Sequence, residues 1–290
     1  MTFTTRFAPS PTGPLHLGHA YSALRAHDMA RAAGGTFLLR IEDIDRSRAR
    51  PQWEAQIYDD LHWLGLHWPE PVMRQSDRLP VYARTLDALW ARGLLYACTC
   101  RRRDILDALS APQEGAVPTG PDGIVYPGTC RPAPGAPRAR PEGAALRLDV
   151  AAAIAACTGG PVRAARFDWR ETGEGQESHA AVTGPELVET VGDIVLARKG
   201  MGTSYHLSVV LDDAAQGVTH VVRGQDLAEA TRIHVLLQHL LGLPTPVYHH
   251  HRLIRDADGK RLAKRDDARA IATYRAEGAT PADIRAMVGL

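Results

Sequence analysis

The chain has 290 residues, 44% of them hydrophobic, so it can bury a large core, which excludes a lone small module and predicts about two domains. Its formal net charge of +1 and pI near 7.8 give no global electrostatic argument for nucleic-acid binding, so any RNA contact must come from local patches. Its four cysteines argue against a disulfide framework and leave metal binding or reduced thiols. No stretch reaches the roughly 20 apolar residues that span a bilayer, and the N-terminus lacks the pattern of a signal peptide. We therefore expect a cytoplasmic protein with no membrane partner.

The first distinctive feature is the stretch from Arg6 to His19, RFAPSPTGPLHLGH. Thr4–Phe7 predicts a short buried strand, prolines and a glycine then break both regular periods, and helical spacing resumes after His16. A strand that feeds a helix through such a turn directs the free N–H groups and positive dipole end of the helix at an anion above the sheet. His16 and His19 would face that anion, although two histidines near a helix start are also common on protein surfaces.

The string RFAPSPTGPLHLGHA resembles the first signature of class I aminoacyl-tRNA synthetases, whose "HIGH" element is here His16-Leu17-Gly18-His19, and in particular the glutamyl branch of that family. The resemblance implies an α/β fold with a Rossmann-type parallel sheet, and Mg·ATP and L-glutamate as substrates. It also implies that His16 and His19 are catalytic and bind ATP. The glutamate pocket would then be lined by Arg6, Phe7, Ala8, Pro9 and Ser10.

A second strand, Thr36–Ile41, is predicted to be buried, and an acidic turn that starts at Glu42 follows it. Acidic residues at the carboxyl edge of an open α/β sheet lie where ligands bind, although a solvated charged turn explains them equally well. The string RIEDIDRSR resembles the glutamyl family's RIEDTDRSR. By that resemblance Glu42 holds the α-ammonium group of the substrate. Pro51–Gly65 and Leu79–Leu95 then read as amphipathic helices whose aromatic residues belong to the core.

From Cys98 to about Arg140 the chain is rich in proline, glycine and arginine, so we expect loops that their own side chains pack weakly. Cys98, Cys100 and Cys130 could bind zinc with a further ligand, or could be three free buried thiols. The resemblance favours a structural zinc site of Cys98, Cys100, Tyr126 and Cys130, since the short glutamyl-queuosine branch carries a Cys-Cys-Tyr-Cys site here. Arginines in this region suit an acceptor-stem platform for RNA or a solvated face. Cys157 reads as a small buried hydrophobe in the helix Val150–Cys157.

Three later segments, Asp193–Leu196, Thr203–Asp213 and Gly217–Asp226, are predicted to be buried parallel strands because they hold short apolar runs such as LSVVL and VTHVV. Arg223 after such a strand could be a salt-bridged structural residue, or with Arg6 a clamp for a carboxylate. The resemblance assigns Tyr205 and Arg223 to glutamate binding. Thr231–Leu241 is predicted to be a core helix.

Two basic stretches complete the chain. His249-His250-His251 lies on an extended segment, where side chains alternate in direction, so we interpret it as an unspecific surface or cleft run rather than a metal site. Arg261-Leu262-Ala263-Lys264-Arg265 reads alone as a solvated basic loop, and it resembles the second class I signature, "KMSKS". The resemblance makes Lys264 a catalytic residue that binds ATP, while arginine replaces the first lysine and Ala263 replaces the serine.

Taken together, these features predict four segments: residues 1–97 and 191–250 as the halves of the catalytic domain, 98–190 as the zinc-containing insertion, and 251–290 as the second signature and a helical tail. The chain ends where glutamyl-tRNA synthetases continue into an anticodon-binding domain, so we expect that domain to be absent. The resemblance therefore implies a monomer that activates glutamate and transfers it to queuosine at the wobble position of tRNA(Asp). Alternatives are a truncated glutamyl-tRNA synthetase that charges tRNA(Glu), and a non-catalytic paralogue that binds RNA or an amino acid.

Overall fold

The computed structural model describes residues 2–109, 118–133, 140–173, 176–255 and 269–290. The helices in these ranges are α1 (Leu17–Ala32), α2 (Pro51–Trp63), α3 (Leu79–Ala91), α4 (Arg102–Leu109), α5 (Val150–Thr158), α6 (Gly184–Glu186), α7 (Tyr205–Ala215), α8 (Thr231–Leu241), α9 (Ile271–Ala276) and α10 (Pro281–Val288). The strands are β1 (Thr4–Phe7), β2 (Thr36–Ile41), β3 (Met73–Arg74), β4 (Leu95–Cys98), β5 (Thr119–Gly120), β6 (Gly123–Ile124), β7 (Ala145–Leu148), β8 (Arg166–Gly173), β9 (Gln176–Thr183), β10 (Val195–Ala197), β11 (His220–Gly224) and β12 (Val247–His251).

Two groups of parallel strands form the centre of the fold. One group has the order β1-β2-β3, and the other has the order β11-β12-β8 with β9 added antiparallel to β8. The groups adjoin at β1 and β11, where the backbone N–H of Thr219 donates a hydrogen bond to the carbonyl oxygen of Thr4 at 2.9 Å. The carboxyl ends of β1, β2, β11 and β12 therefore lie along one edge, which is where open α/β sheets bind ligands.

A smaller antiparallel sheet of β4, β7 and β10 lies outside these two groups. The prediction that Asp193–Leu196 belongs to the parallel sheet is therefore wrong, because β10 pairs antiparallel with β7. A short apolar run records burial but not strand direction, so the sequence pattern could not separate the two cases.

The prediction of a strand at Thr203–Asp213 is also wrong, because this segment forms helix α7. Ser204 is its N-cap, and the Ser204 hydroxyl oxygen accepts a hydrogen bond from the backbone N–H of Leu207 at 3.4 Å. Leu207 and Val210 are buried at helical spacing, and buried Ser208 and Val209 extend the covered face. A helix covered on nearly all sides contains an uninterrupted apolar run, and that run resembles a buried strand.

The helices α2 and α3 both end earlier than predicted. The C-cap of α2 is Leu64, and Gly65 follows with φ of +80°, a value that favours glycine. The helix α3 ends at Ala91, and Gly93 with φ of +71° turns the chain into β4, which begins at Leu95.

The three histidines His249, His250 and His251 lie on β12, as expected for an extended segment, but each is only 5–6% exposed. The surface alternative is therefore wrong, whereas the cleft alternative holds for His250, which lines a cavity together with Glu171 and Gln225. β12 is an inner strand between β11 and β8, so both of its edges are paired, and the burial of consecutive residues shows that both faces are covered as well.

Two observations bear on the domain organisation. The strand β8, inside the predicted insertion 98–190, pairs with β12 of the predicted second catalytic half. In addition, Ile271, Ile284 and Val288 near the C-terminus are buried in the same apolar cluster as residues of α1 and β2. No helix in the described part of the chain is long and apolar enough to cross a membrane.

Candidate active site

The start of α1 is capped by the two histidines of the first signature. His16 is the N-cap residue, and its Nδ1 accepts a hydrogen bond from the backbone N–H of Gly18 at 3.1 Å. In return, Nδ1 of His19 accepts from the backbone N–H of His16 at 3.2 Å. This is a capping box in which imidazoles replace the usual hydroxyl and carboxylate groups. A side chain at Gly18 would lie 3.1 Å from Cε1 of His16, so glycine makes room for the ring.

These caps fix the tautomers of the two neutral rings. A neutral imidazole has one donor and one acceptor nitrogen, and in both rings Nδ1 is the acceptor. The ring proton is therefore on Nε2, the nitrogen on the far side from the helix backbone. Both histidines thus combine a donor group with the positive end of the helix dipole, an arrangement suited to phosphate.

A buried ion-pair cluster lies where β1 and β2 end. Arg6 donates from Nε to Oδ1 of Asp213 at 2.9 Å, and Arg40 donates to the same oxygen at 2.6 Å. Arg40 also donates to Oε1 of Glu42 at 3.1 Å. Two cations are therefore balanced by two carboxylates, and Asp213 of α7 joins the first two strands.

The two carboxyl groups of this cluster have pKa values shifted in opposite directions. Burial raises the pKa of Asp213, but the charges of Arg6 and Arg40 outweigh burial and hold it below the ordinary value. Burial also raises the pKa of Glu42, and Arg40 and Arg6 offset only part of that effect. A further cation beside Glu42 would favour the ionised carboxylate, so this residue can accept an ammonium group.

Arg223, at the carboxyl end of β11, has different partners. It donates from Nε to Nε2 of His250 at 3.1 Å, from NH1 to Nδ1 of His234 at 3.0 Å and from NH2 to Oγ1 of Thr231 at 2.7 Å. Arg223 is 5% exposed, and none of the carboxylates in the described ranges forms an ion pair with it. It is a buried cation held by neutral acceptors.

The histidines around Arg223 are kept neutral by their surroundings. Burial and the charge of Arg223 lower the pKa of His234 well below its ordinary value. The same causes lower the pKa of His250, although its hydrogen bond with Glu171 works in the opposite direction. Positive charge at this place is thus concentrated on Arg223.

Tyr205 is the first residue of α7, and burial raises its pKa above the ordinary value of 10.0. The charges of Arg223, Glu42 and Arg6 all act on the Tyr205 hydroxyl. Tyr205 is therefore electrostatically coupled to three charged residues that are far from it in the sequence.

The loop after β1 borders this cluster. The carbonyl oxygen of Pro9 accepts a hydrogen bond from the backbone N–H of Glu42 at 3.0 Å, which ties the loop to the start of the acidic turn. Phe7 and Pro9 are buried, and Ala8 and Ser10 are half-buried. The predicted residues of the first two strands thus lie around the same edge.

The sequence analysis missed Arg40, Asp213, His234 and His250, although they hold the predicted residues in place. Arg40 lies inside a strand, and Asp213 was at the end of a segment taken for a strand. The only sequence signal for His250 was the histidine run, which we interpreted as an unspecific surface or cleft run. These hydrogen-bond and ion-pair partners come from distant segments of the chain, so no local sequence pattern indicates them.

The second signature, with Lys264, lies outside the described residues. Just after it, Ala270 forms an isolated backbone bridge with His16, and the backbone N–H of Ile271 donates to the carbonyl oxygen of Leu15 at 2.8 Å. The chain that leaves the second signature therefore passes directly beside the first one.

A separate cluster lies where β4 ends. The sulfur atoms of Cys98, Cys100 and Cys130 lie within 4.8 Å of one another, and the Cys100 and Cys130 sulfurs are 3.4 Å apart. The hydroxyl oxygen of Tyr126 lies 3.6 Å from the Cys98 sulfur and 3.4 Å from the Cys100 sulfur. The four predicted ligand groups are therefore brought together, whereas Cys157 lies apart on α5.

Comparison with known families decides what kind of catalytic core this is. The family model described as "tRNA synthetases class I (E and Q), catalytic domain" matches residues 2–120 and 138–290. The chain belongs to this family. The resemblance stated from the two signatures is confirmed at this level, and so is the prediction of an α/β ligase core with a parallel sheet.

Individual relatives share this core. A protein of Rhodobacter capsulatus named "Glutamyl-Q tRNA(Asp) synthetase" is 66% identical over 291 residues, which is 99% of both chains. A protein of Nocardia farcinica with the same name is 42% identical, over 98% of this chain and 82% of its own. Among solved structures, a glutamate tRNA ligase from Elizabethkingia meningosepticum in complex with its amino acid superimposes with a TM-score of 0.72 at 26% identity. That match covers 99% of this chain but only 60% of the solved ligase.

Proposed function

We propose that the protein activates L-glutamate with Mg·ATP and transfers the glutamyl group to queuosine at the wobble position of tRNA(Asp). The observation that carries this proposal is the 66% identity, over 99% of both chains, to a relative named for that tRNA. The geometry of the site supports the glutamate half of the reaction independently.

The charges of the site suit glutamate. Arg6 and Arg40 are balanced by Asp213 and Glu42, whereas Arg223 forms no ion pair with a carboxylate of the described residues. Free glutamate at neutral pH has two carboxylates and one ammonium group, so its net charge is opposite to that of Arg223. We assign a substrate carboxylate to Arg223, with Tyr205 beside it, and the α-ammonium group to Glu42.

The first step needs no protein nucleophile. The α-carboxylate of glutamate attacks the α-phosphorus of ATP in line, the bond to the bridging oxygen of pyrophosphate breaks, and glutamyl-adenylate and pyrophosphate are formed. His16 and His19 stabilise charge on the phosphates from Nε2 and through the N-terminus of α1, and Lys264 neutralises the leaving pyrophosphate. A hydroxyl of queuosine then attacks the carbonyl of the mixed anhydride, and AMP leaves.

We also propose that Cys98, Cys100, Tyr126 and Cys130 hold a structural zinc ion. Tetrahedral zinc with bonds of about 2.3 Å to sulfur places its sulfur ligands about 3.8 Å apart, and three thiols within 4.8 Å fit that requirement. Bound zinc would join β4 to the segment that carries Tyr126 and Cys130. The role of these residues is to hold the segment against the catalytic core.

The zinc proposal is tested by metal analysis of protein purified without chelator. We expect about one zinc per chain in the natural protein, and a loss of at least tenfold in Cys100→Ser. The Cys157→Ser variant is the matched control because Cys157 lies outside the cluster, and it should keep its zinc. Natural protein without zinc would rule the site out.

The substrate proposal is tested by transfer of labelled glutamate, with ATP, to tRNA(Asp) with and without queuosine and to tRNA(Glu). Labelling only the queuosine-containing tRNA(Asp) is the expected result. Labelling of tRNA(Glu) instead would make the protein a charging synthetase, and absence of glutamate-dependent pyrophosphate exchange would make it a non-catalytic paralogue.

A further inference from the structure

The hydrogen bonds of Arg223 determine the tautomer of the histidine behind it. An arginine guanidinium has five donors and no acceptor, so Nε2 of His250 must accept the hydrogen bond from Nε of Arg223 at 3.1 Å. The neutral His250 ring therefore carries its proton on Nδ1. That nitrogen lies 2.8 Å from Oε1 of Glu171 on β8, which accepts the proton's hydrogen bond.

Glu171 is itself fixed by a second donor. Nε1 of Trp169 donates to the other carboxylate oxygen, Oε2, at 3.0 Å. The His250 side chain is 3% exposed and the Glu171 side chain is 26% exposed, so the histidine end of this hydrogen bond is buried and the carboxylate end borders a cavity. Arg223 can only donate and the Glu171 carboxylate can only accept, so hydrogen bonds are donated from Arg223 to His250 and from His250 to Glu171.

The same reasoning applies to the second histidine on Arg223. Nδ1 of His234 accepts from Arg223 at 3.0 Å, so the His234 proton is on Nε2 and is donated to Nδ1 of His206 at 3.1 Å. His234 and His250 are therefore opposite tautomers around one guanidinium. The neutral form with the proton on Nε2 is the one His250 must not adopt, because it would place an N–H group against Nε of Arg223.

From this geometry we propose that Glu171 is a positioning residue for Arg223 and acts through His250. It holds His250 in the tautomer that accepts from Nε, and so directs the guanidinium toward the substrate carboxylate. The proposal rests on the proposed function for its link to glutamate, but the tautomer of His250 does not depend on that function.

Pyrophosphate exchange tests the consequence for the substrate. We expect Glu171→Ala to raise the KM for glutamate about tenfold and to leave the KM for ATP within about twofold, because the proposed function assigns Arg223 to a carboxylate of the amino acid and not to ATP. In Glu171→Gln, the amide oxygen can still accept from Nδ1, so the rise should be partly rescued. Glu177→Gln is the matched control, because it removes the same charge from β9, the strand that pairs with β8. Glu177 is exposed and pairs with Arg170, so this variant should have the KM values of the natural protein for glutamate and ATP.

Nitrogen NMR of the histidine rings tests the geometry itself. We expect the natural protein to show His250 protonated on Nδ1 and His234 on Nε2, with the signals assigned by loss in His250→Gln and His234→Gln. A glutamate KM in Glu171→Ala within twofold of the natural value, or an equal rise in the KM for ATP, would overturn the positioning role. Protonation of His250 on Nε2 would contradict the hydrogen bonds proposed from Arg223 to His250 and from His250 to Glu171. This test does not depend on glutamate being the substrate.

Discussion

Asp60 on α2 is a buried carboxylate that no hydrogen-bond donor of the described residues contacts. The residue is 0% exposed, and neither of its carboxylate oxygens has a hydrogen-bond partner within the described ranges. Burial raises its pKa from 3.8 to about 6, the nearby Asp59 charge adds to the shift, and the charge of Arg275 offsets part of it. A carboxylate that must ionise in this place lowers the free energy of unfolding at neutral pH.

We expect Asp60→Asn to stabilise the protein at pH 7 by on the order of 1–3 kcal/mol, since a shift of one pKa unit corresponds to about 1.4 kcal/mol. The folded pKa is raised, so the folded state binds more protons than the unfolded state between pH 3.8 and about 6. Stability of the natural protein therefore falls as pH rises through this window, and the gain from asparagine should be full above pH 6 and small near pH 4. Urea unfolding at pH 7 and pH 4 measures it.

The control for Asp60 is its exposed neighbour. Asp59 pairs with Arg275 at 2.7 Å on the surface, so Asp59→Asn should change the free energy of unfolding by less than about 1 kcal/mol. A stabilisation by Asp60→Asn that is equal at both pH values would show that the raised pKa is not its cause.

His16 caps helix α1, and in the proposed function the same residue also donates from Nε2 to a phosphate of ATP. Asparagine separates these roles, since it is among the best N-cap residues but has no imidazole. We expect His16→Asn to keep the natural melting temperature and to lose pyrophosphate exchange by about 100- to 1000-fold. His16→Ala should lose pyrophosphate exchange by a similar factor, and its free energy of unfolding should also fall by about 0.5–2 kcal/mol. An active His16→Asn would limit the histidine to a structural role.

The bounds of helices and strands were predicted correctly where the local sequence marks both ends of the element. The strands Thr4–Phe7 and Thr36–Ile41 and the helix Thr231–Leu241 occur at their predicted bounds because prolines, glycines or clear periodicity mark them. The pattern failed for the helical structure of α7 and for the burial of β12, because burial on all sides depends on neighbours from other parts of the chain. For the same reason the sequence indicated Arg6, Glu42 and Arg223 but not Asp213 or His250.

At the scale of the whole molecule, the described residues form two large apolar clusters. One contains core residues of α1, β2 and α2 together with Ile271, Ile284 and Val288 from the C-terminal helices. The other contains core residues of α5, α7 and α8 and of the smaller sheet. Arg285 of α10 also pairs with Asp28 of α1 at 2.7 Å. The C-terminal helices are therefore part of the N-terminal core rather than an appendage.

Because the core consists of two apolar clusters, a cavity made in α10 should destabilise mainly the cluster that contains α1 and β2. Ile284 is 0% exposed, so Ile284→Ala should lower the free energy of unfolding by about 2–5 kcal/mol. Met287 on the same helix is 50% exposed, and Met287→Ala should have little effect. In hydrogen exchange, Ile284→Ala should lower the protection of amides in α1 and β2 more than in α5 and α8, because only the first two elements share its cluster. Equal loss of protection in all four elements would show that the two clusters unfold as one unit, and the C-terminal helices would then stabilise the whole catalytic core.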